Sequence, residues 1–479
     1  MEITVGTKWD YNYIDKFSEI GVNEMFGSFR WSNLGTGRGA AVLPEFDRDF
    51  AKKYIDKLHS LGMKFCYTWN SSCLGNKEFD PKHIKEMMAE LEDFEYIGVD
   101  AITITIPSLI GIIKNKLPNV AVKASIINQI GSVQSVQYFT EYLGVDEFVL
   151  GIDFNRNFKA IEAIRKATDK KIEVLANESC LYHCPYRNYH YNMAAHASKN
   201  DDPFKGKFVD YCIMNCMKHR VLEHREIMKS RFIRPEDVGF YEELGINRLK
   251  ISSRHLPSEW SYRSAKAYAD RSYRGNLSDI MSPVAMAIPK ESIHPMPELT
   301  QEENERLLFA LSYTAPNIYV DNTKLDGMLE YFKKKGADCD FSQCGTECNY
   351  CGKLADKAIT ADPNTEITDG FIGFIDQTLE QIATGSLADE QYLEIDNLGW
   401  LEGTKEKHER CLETVPRLFR NIARKKTTKI AEDYAKKRGS RIVEDQDMTK
   451  AVYEQTPKHL KQKMQSILKE IDCLSFINN

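Results

Sequence analysis

Residues 171–190 read KIEVLANESCLYHCPYRNYH, a β-rich run followed by a dense group of polar and sulfur-containing side chains. Seven other short β-rich runs occur before residue 253, and amphipathic helical stretches separate them. The eight runs cover residues 2–6, 23–27, 63–69, 101–106, 121–126, 147–151, 171–176 and 246–252. Alternating strands and helices favour parallel pairing, and a count of eight predicts an α/β fold closed into a (β/α)8 TIM-type barrel. A doubly wound open sheet is the alternative with the same alternation.

The chain is too long for one average domain, since the sequence has 479 residues. We expect the barrel over residues 1–290, with an unusually long insertion at 177–245 between the last two strands. A Cys-rich extension is expected over 291–360, a linker with helices over 361–410, and a small all-α C-terminal domain over 411–479.

The active site of a TIM-type barrel lies at the carboxyl ends of its strands, so residues after each β-rich run are site candidates. Glu178 is a candidate proton acceptor, and Arg187 has the planar fork that binds carboxylates. His190 and His196 are candidates for acid–base work because histidine changes its charge near neutral pH. The alternative for both histidines is a structural role in orienting ligands or capping a loop. The remaining predicted catalytic residues, which follow the eighth run, are Arg254 and His255.

The cysteines are expected to be reduced. The first ten residues, MEITVGTKWD, contain neither a basic leader nor an apolar targeting core, and no apolar run is long enough to cross a bilayer. We therefore expect a cytoplasmic protein without a membrane span. Cytosolic thiols are kept reduced, so the twelve cysteines are not expected to form a disulfide framework.

Two Cys-x3-Cys pairs lie within the insertion, Cys180 with Cys184 and Cys212 with Cys216. Four thiolates can close either a tetrahedral zinc site or a [4Fe–4S] cluster. Zinc ribbons and knuckles favour a tighter spacing, so this looser spacing favours iron–sulfur. The four cysteines are therefore the predicted cofactor ligands.

A second cysteine group follows the predicted barrel, at residues 339–351, CDFSQCGTECNYC. The spacing Cys344-x3-Cys348-x2-Cys351 resembles the cluster motif of radical S-adenosylmethionine enzymes. Those enzymes carry the motif after the first strand of their barrel, whereas here it follows the whole barrel. A second iron–sulfur or zinc site, with Cys339 as a fourth ligand, is therefore the favoured interpretation.

The charge distribution is uneven. The formal net charge is −6, but residues 414–463 contain 14 Lys and Arg against 6 Asp and Glu. A surface for RNA or for an acidic partner fits this basic segment, and so does alternating charge on exposed helix faces.

Three segments in order resemble peptidase family U32, the collagenase-like group that includes oxygen-independent hydroxylases. They are IEVLANESCLYHCPYRNYH at 172–190, FIRPEDVGFYEELGINRLKISSRH at 232–255 and AYADRSYRGNLSDIM at 267–281. The resemblance implies a barrel that binds one [4Fe–4S] cluster through four cysteines. Cys180 and Cys184 match two of these ligands directly, and Cys212 and Cys216 lie in the downstream region that corresponds to the other two. Relatives hydroxylate ubiquinone precursors or RNA bases, several with prephenate as the oxygen source, so the resemblance also implies prephenate as a co-substrate.

Residues 415–451 are similar to the small helical domain that closes the catalytic subunit of light-independent protochlorophyllide reductase. This similarity implies a lid or a surface for a redox partner. A purely structural three-helix cap is the alternative.

We therefore expect an iron–sulfur oxidoreductase, specifically an oxygen-independent hydroxylase of a small molecule or an RNA base. Its expected partners are a small-molecule substrate, a redox partner or second subunit, and RNA bound through the basic segment. The alternatives are a non-catalytic iron–sulfur partner subunit, a peptidase and a radical S-adenosylmethionine-type enzyme. Peptidase activity has little support from the residues, because no convincing nucleophile and base or zinc-protease helix motif occurs.

Overall fold

The computed structural model describes most of the chain. The described residues are 1–30, 32, 34–40, 43–199, 202, 210–252, 256–282, 316–335, 339, 343–361, 365–385, 399–401, 403–415, 420–438, 440 and 442–477. The chain divides into two compact units, Met1–Asp369 and Gly370–Asn479. Of the helices within the described ranges, none is long and apolar enough to cross a membrane.

The first unit contains a closed barrel of eight parallel strands in sequence order. The strands are β1 Glu2–Gly6, β2 Glu24–Gly27, β3 Lys64–Trp69, β4 Ala101–Ile104, β5 Ala121–Ala124, β6 Glu147–Val149, β7 Lys171–Leu175 and β8 Arg248–Ile251. Pairing of β1 with β8, in which Thr4 stands opposite Lys250, closes the ring. The prediction of a TIM-type (β/α)8 barrel is confirmed, and closure excludes the doubly wound open sheet.

Helices follow the barrel strands and cover their outer faces, as the alternating pattern predicts. They are α1 Tyr11–Glu19, α2 Arg48–Ser60, α3 Pro81–Ile97, α4 Ser108–Lys116, α5 Val133–Gln137, α6 Phe158–Ala167, α7 Arg187–His196, α8 Tyr211–Leu222, α9 Arg225–Lys229, α10 Val238–Glu243 and α11 Ser258–Ala269. Four of these helices, α7 to α10, lie in the insertion between β7 and β8, and α7 and α8 carry several predicted site residues.

Charged side chains fill part of the barrel interior. The Nζ of Lys123 lies 2.5 Å from a carboxylate oxygen of Glu24 and 3.6 Å from one of Glu173. The Nζ of Lys250 lies 3.0 Å from Glu173, and Arg248 lies 3.1 Å from Glu24. Because each charge has an opposite neighbour, these buried groups are compensated. The interior is thus a packed ionic layer, which leaves the mouth as the place for a ligand.

The Cys-rich extension belongs to the first unit and packs on the insertion. It contains β9 Ile318–Val320, paired antiparallel with β10 Ile359–Ala361, and the helices α12 Met328–Lys335 and α13 Tyr350–Ala358. The Nε of Arg234 donates to Asn322 at 2.8 Å, and its Nη2 donates to Asp326 at 2.6 Å. A residue of the FIRPED segment therefore fastens the extension to the barrel.

The second unit is mainly helical. Its elements, together with the helix that enters it, are α14 Thr365–Thr384, β11 Gly399–Trp400, α15 Thr404–Leu412, α16 Arg420–Lys437, β12 Ile442–Val443, α17 Asp445–Gln455 and α18 Lys461–Glu470. Its core contains Met448, Val452 and Leu468 together with Cys411 and Cys473, so both cysteines are packing residues. The similarity to the protochlorophyllide reductase domain stays a prediction.

Candidate functional site at the barrel mouth

Asn177 joins the ends of the last two barrel strands. It is fully buried, its Oδ1 accepts a hydrogen bond from the amide of Ser252 at 2.8 Å, and its Nδ2 donates to the carbonyls of Ser252 and Ile280 at 3.2 and 3.3 Å. Because both polar atoms of its side chain have hydrogen-bond partners, Asn177 fixes the position at which the chain leaves β7. The following loop therefore starts at the mouth of the barrel from a rigid point.

Glu178 contacts a predicted cluster ligand. One carboxylate oxygen accepts a hydrogen bond from the hydroxyl of Ser252, and the other lies 3.7 Å from the Sγ of Cys180. Cysteine must lose its proton to ligate a metal. The carboxylate of Glu178 lies beside this thiol, and its catalytic role as a proton acceptor stays a prediction.

Arg187 is buried at the start of α7 and binds a carboxylate of the protein itself. Both of its terminal nitrogens donate to Asp153, one of them at 2.9 Å, and the two nitrogens also donate to Gln129 and to the carbonyl of Leu181 at 3.1 and 2.9 Å. The carboxylate fork predicted for Arg187 is thus occupied by Asp153. In this arrangement Arg187 holds the cysteine loop against the end of β6 and does not offer its fork to a substrate.

Cys212 and Cys216 lie one turn apart on α8 and so share one helix face. The Oδ1 of Asp210 accepts from the amide of Ile213 at 2.9 Å and caps this helix. One further turn along, the Nη2 of Arg220 lies 3.5 Å from the Sγ of Cys216, while its Nη1 donates to the carbonyl of Ser179 at 2.6 Å. Arg220 therefore joins the α8 cysteine pair to the loop that carries the other pair.

The four predicted ligands lie within electrostatic reach of one another. Burial raises the pKa of Cys212 to about 12, and the charges of Asp210, Cys184 and Cys216 act in the same direction. Burial likewise raises the pKa of Cys180, to which Cys216 contributes. All twelve cysteines are among the described residues, and none of them is joined in a disulfide.

Within the described part of the chain, no three side chains from His, Cys, Asp and Glu are placed to hold one metal ion. In a [4Fe–4S] cluster each thiolate binds a different iron atom, so the four sulfur atoms surround a volume rather than a point. Four cysteine thiols from one loop and one helix face form a donor set that both [4Fe–4S] clusters and zinc ions use, and the cluster stays a prediction.

Two of the three predicted catalytic histidines lie on helix α7. The Nε2 of His190 lies 3.3 Å from Asp210, the residue that caps α8, which supports its predicted structural alternative. His196 is exposed at the end of α7, where burial and the charge of Lys199 lower its pKa. Arg254 and His255 lie outside the described residues.

Sequence reasoning missed Tyr191 and Arg38. Burial raises the pKa of Tyr191, the charge of Cys180 adds to this effect, and the charges of Arg187 and Arg38 oppose it. Tyr191 therefore stands among these groups, one helical turn beyond Arg187. Among the residues that the structure describes, no carboxylate forms an ion pair with half-buried Arg38. Arg38 is a half-buried cation whose charge acts on Tyr191, which makes it a candidate for binding an anionic ligand.

The second cysteine group does not join the first. Cys339, Cys344, Cys348 and Cys351 line a cavity of their own, next to α9 and α12. Both groups flank the segment formed by α8 and α9.

Known proteins similar to this chain come from one peptidase family and from other barrel proteins. The model of peptidase family U32 matches residues 40–274. A Methanocaldococcus jannaschii protein named uncharacterized protease MJ1657 is 31% identical over 326 residues, which cover 68% of this chain and 86% of that protein. The solved U32 peptidase Mk0906 has a TM-score of 0.40 at 15% identity, over 53% of this chain and 93% of its own. A D-psicose 3-epimerase from Clostridium cellulolyticum H10, solved with D-tagatose, has a TM-score of 0.31 at 12% identity, over 59% of this chain and 100% of its own.

Proposed function

Because this chain belongs to peptidase family U32, we propose that it is an iron–sulfur oxidoreductase, in the form of an oxygen-independent hydroxylase of a small molecule. The observation that carries the proposal is the meeting of two cysteine pairs at the barrel mouth through Arg220, which contacts both Cys216 and the Ser179 backbone. Cys180, Cys184, Cys212 and Cys216 would hold one [4Fe–4S] cluster. When bound, such a cluster supplies electron storage and can polarise an oxygen donor.

The protein's own residues would prepare and shield this site. Glu178, in contact with Cys180, would accept the proton that metal binding displaces from the thiol, whereas in the metal-free protein its charge helps to keep that proton on the sulfur. Arg220 donates to a ligand sulfur and, as a buried cation, offsets part of the negative charge of the thiolates. Arg187 and Asp153 keep the loop closed over the end of β6, which limits the access of water.

The substrate side of the site is anion-binding. Arg38 lies between Gly37 and Gly39, and the amide of Gly37 donates to the Oδ1 of Asn70 at 3.1 Å, which joins this part of the chain to the end of β3. An anionic oxygen donor such as prephenate would pair with Arg38 and stand beside Tyr191. The reaction balances without an outside oxidant: the donor is reduced by loss of one oxygen atom, and a C–H bond of the acceptor is oxidised to C–OH.

We propose a small molecule as the substrate, and part of the charge of the basic segment is already paired with acidic residues. Arg424 lies 2.6 Å from Glu409, and Arg438 lies 2.7 Å from Asp447. Ion-paired arginines offer little charge to phosphates. Dependence on a redox partner or second subunit stays a prediction.

The test is an oxygen-transfer assay under argon. The full-length protein is incubated with prephenate and a small-molecule extract from cells that lack the gene, and products are followed by mass spectrometry. We expect an extract component to gain one oxygen atom with wild type and with Cys73→Ser, a cysteine outside both groups, but not with Cys180→Ala. Equal products from wild type and Cys180→Ala would contradict the proposal, and so would casein hydrolysis by wild type with no oxygen transfer.

A further inference from the structure

A cavity in the Cys-rich extension is lined by four cysteines, and the site at the barrel mouth uses none of them. Cys339, Cys344, Cys348 and Cys351 share this lining with side chains of α9 and α12, which include Lys229 and Tyr331. Four thiols around one cavity form the donor set of tetrahedral zinc and of iron–sulfur clusters.

The backbone between these cysteines forms a compact turn. The amides of Glu347 and Cys348 donate to the carbonyl of Gln343 at 3.1 and 2.9 Å, and the amide of Gly345 donates to the carbonyl of Cys348 at 3.3 Å. Gly345 has a φ of +84°, a conformation that favours glycine. An isolated backbone β-bridge pairs Cys344 with Cys348 and places the two residues next to each other. Both thiols are therefore presented together to the cavity.

The next residues extend this set. Helix α13 begins at Tyr350, so Cys351 lies in its first turn. The ring of Tyr350 stacks on Tyr331 at a centroid distance of 3.8 Å, and the hydroxyl of Tyr331 lies 3.2 Å from the Sγ of Cys348. This stack fixes the start of α13 against α12, which holds Cys351 and Cys348 at the same cavity.

The surroundings of the cavity are cationic. Arg225 and Lys229 line it, and each also has a nearby glutamate. Arg156 is fully buried behind them; its guanidinium donates to the carbonyls of Met228 and Phe232 at 2.9 and 3.0 Å, and no described carboxylate forms an ion pair with it. Burial and the charge of Arg231 lower the pKa of Arg156 to about 10, and the opposing charge of Asp237 does not offset them, so this buried cation is only partly compensated. A metal held by four thiolates has a net negative charge and would compensate this cation.

We propose that Cys339, Cys344, Cys348 and Cys351 bind a second thiolate-liganded metal centre, either a zinc ion or an iron–sulfur cluster. This proposal goes beyond the function proposed for the barrel mouth and does not depend on it. In the described residues, no three of the four thiols are placed to hold one metal ion. A zinc ion would therefore require the turn to move the sulfur atoms closer together, whereas an iron–sulfur cluster binds each sulfur at a different iron atom.

The two cysteine groups are connected by packed side chains. Tyr182 lies between Cys180 and Cys184, and its ring centroid is 3.4 Å from the guanidinium carbon of Arg231. The same guanidinium is 5.8 Å from the ring of Phe332, which lines the second cavity.

The test measures iron, zinc and acid-labile sulfide per chain in full-length protein purified under argon. We compare wild type with Cys351→Ala and with the matched control Cys73→Ser. We expect Cys351→Ala to lose about one zinc, or about four iron atoms with four sulfides, while the control keeps them. Equal metal content in wild type and Cys351→Ala would overturn the proposal.

Two further measurements keep the test decisive. If circular dichroism shows that Cys351→Ala fails to fold, Cys339→Ala is scored in its place, because Cys339 lies outside α13. Cys180→Ala removes a ligand of the first site only, so it should retain the second metal. Loss of all metal in Cys180→Ala, with none lost in either variant of the extension, would leave only the barrel site and would refute the second centre.

Discussion

Arg220 lies 3.5 Å from the Sγ of Cys216 and at the same time donates to the carbonyl of Ser179 at 2.6 Å. One buried guanidinium thus connects the cysteine pair on α8 with the cysteine pair in the loop after β7. Because hydrogen bonds to ligand sulfurs and nearby charge set the properties of an iron–sulfur cluster, Arg220 is expected to tune the centre as well as to hold its ligands together.

We predict that Arg220→Met lowers the reduction potential of the barrel cluster by tens of millivolts. Reduction adds negative charge, and the loss of a cation and a hydrogen-bond donor makes that addition less favourable. A redox titration followed by electron paramagnetic resonance measures the shift. Lys218→Met removes a positive charge from the same helix and serves as the control. An equal shift in both variants would mean that the contact of Arg220 with Cys216 has no special effect.

We predict that the pair of Arg187 and Asp153 contributes strongly to folding. Both residues are buried, with 8% and 7% of their surface exposed, so removal of one leaves the other charge uncompensated. Arg187→Met should lower the free energy of unfolding by about 3 to 5 kcal/mol in urea denaturation. The double variant Arg187→Met with Asp153→Asn should be less destabilised than the sum of the single variants. Strict additivity would be evidence against a coupled pair.

Features that depend on local sequence were predictable, whereas features that depend on contacts between distant parts of the chain were not. The eight strands were predictable because barrel strands are buried on both faces and therefore read as short apolar runs. The partner of Arg187 was not predictable, since Asp153 follows a different strand and only barrel closure brings the two together. Arg220 and Tyr191 each lie four residues after a predicted site residue on a helix, and that spacing was the available signal.

We predict that the ionic layer of the barrel makes the fold acid-sensitive. Burial raises the pKa of Glu173, but the charges of Lys250, Lys123 and Arg248 outweigh it and lower the pKa to about 2. The unfolded chain protonates this group near its ordinary pKa, so its stabilisation is complete above about pH 4.5 and is lost as the pH falls towards 2.

The measurement is urea denaturation between pH 6 and pH 3 for wild type and Glu173→Gln. The shift corresponds to about 3 kcal/mol, so the variant should be less stable at pH 6 and should lose less stability on acidification. A variant with the same pH slope as wild type would show that other carboxylates cause the acid sensitivity.

We predict a separate pH effect in the second unit, from His408. Its Nε2 lies 2.6 Å from the hydroxyl of Thr427, its ring stacks on Trp400, and burial lowers its pKa to about 4. Below its ordinary pKa the unfolded chain binds a proton that the folded chain does not, so stability falls as the pH drops from about 6.5 to 4, by up to about 3 kcal/mol.

His408→Phe should abolish this slope in thermal unfolding, because phenylalanine keeps the ring contact and cannot bind a proton. Exposed His219 is the control position, and His219→Gln should leave the slope unchanged. Persistence of the slope in His408→Phe would assign it to other groups.

The most direct measurement is diffraction from crystals grown without oxygen, with data collected above and below the iron absorption edge. We predict an iron peak at the barrel mouth, surrounded by the sulfur atoms of Cys180, Cys184, Cys212 and Cys216. Anomalous signal only above the zinc edge at these four sulfurs, or no metal there in crystals whose protein retains its iron, would contradict it.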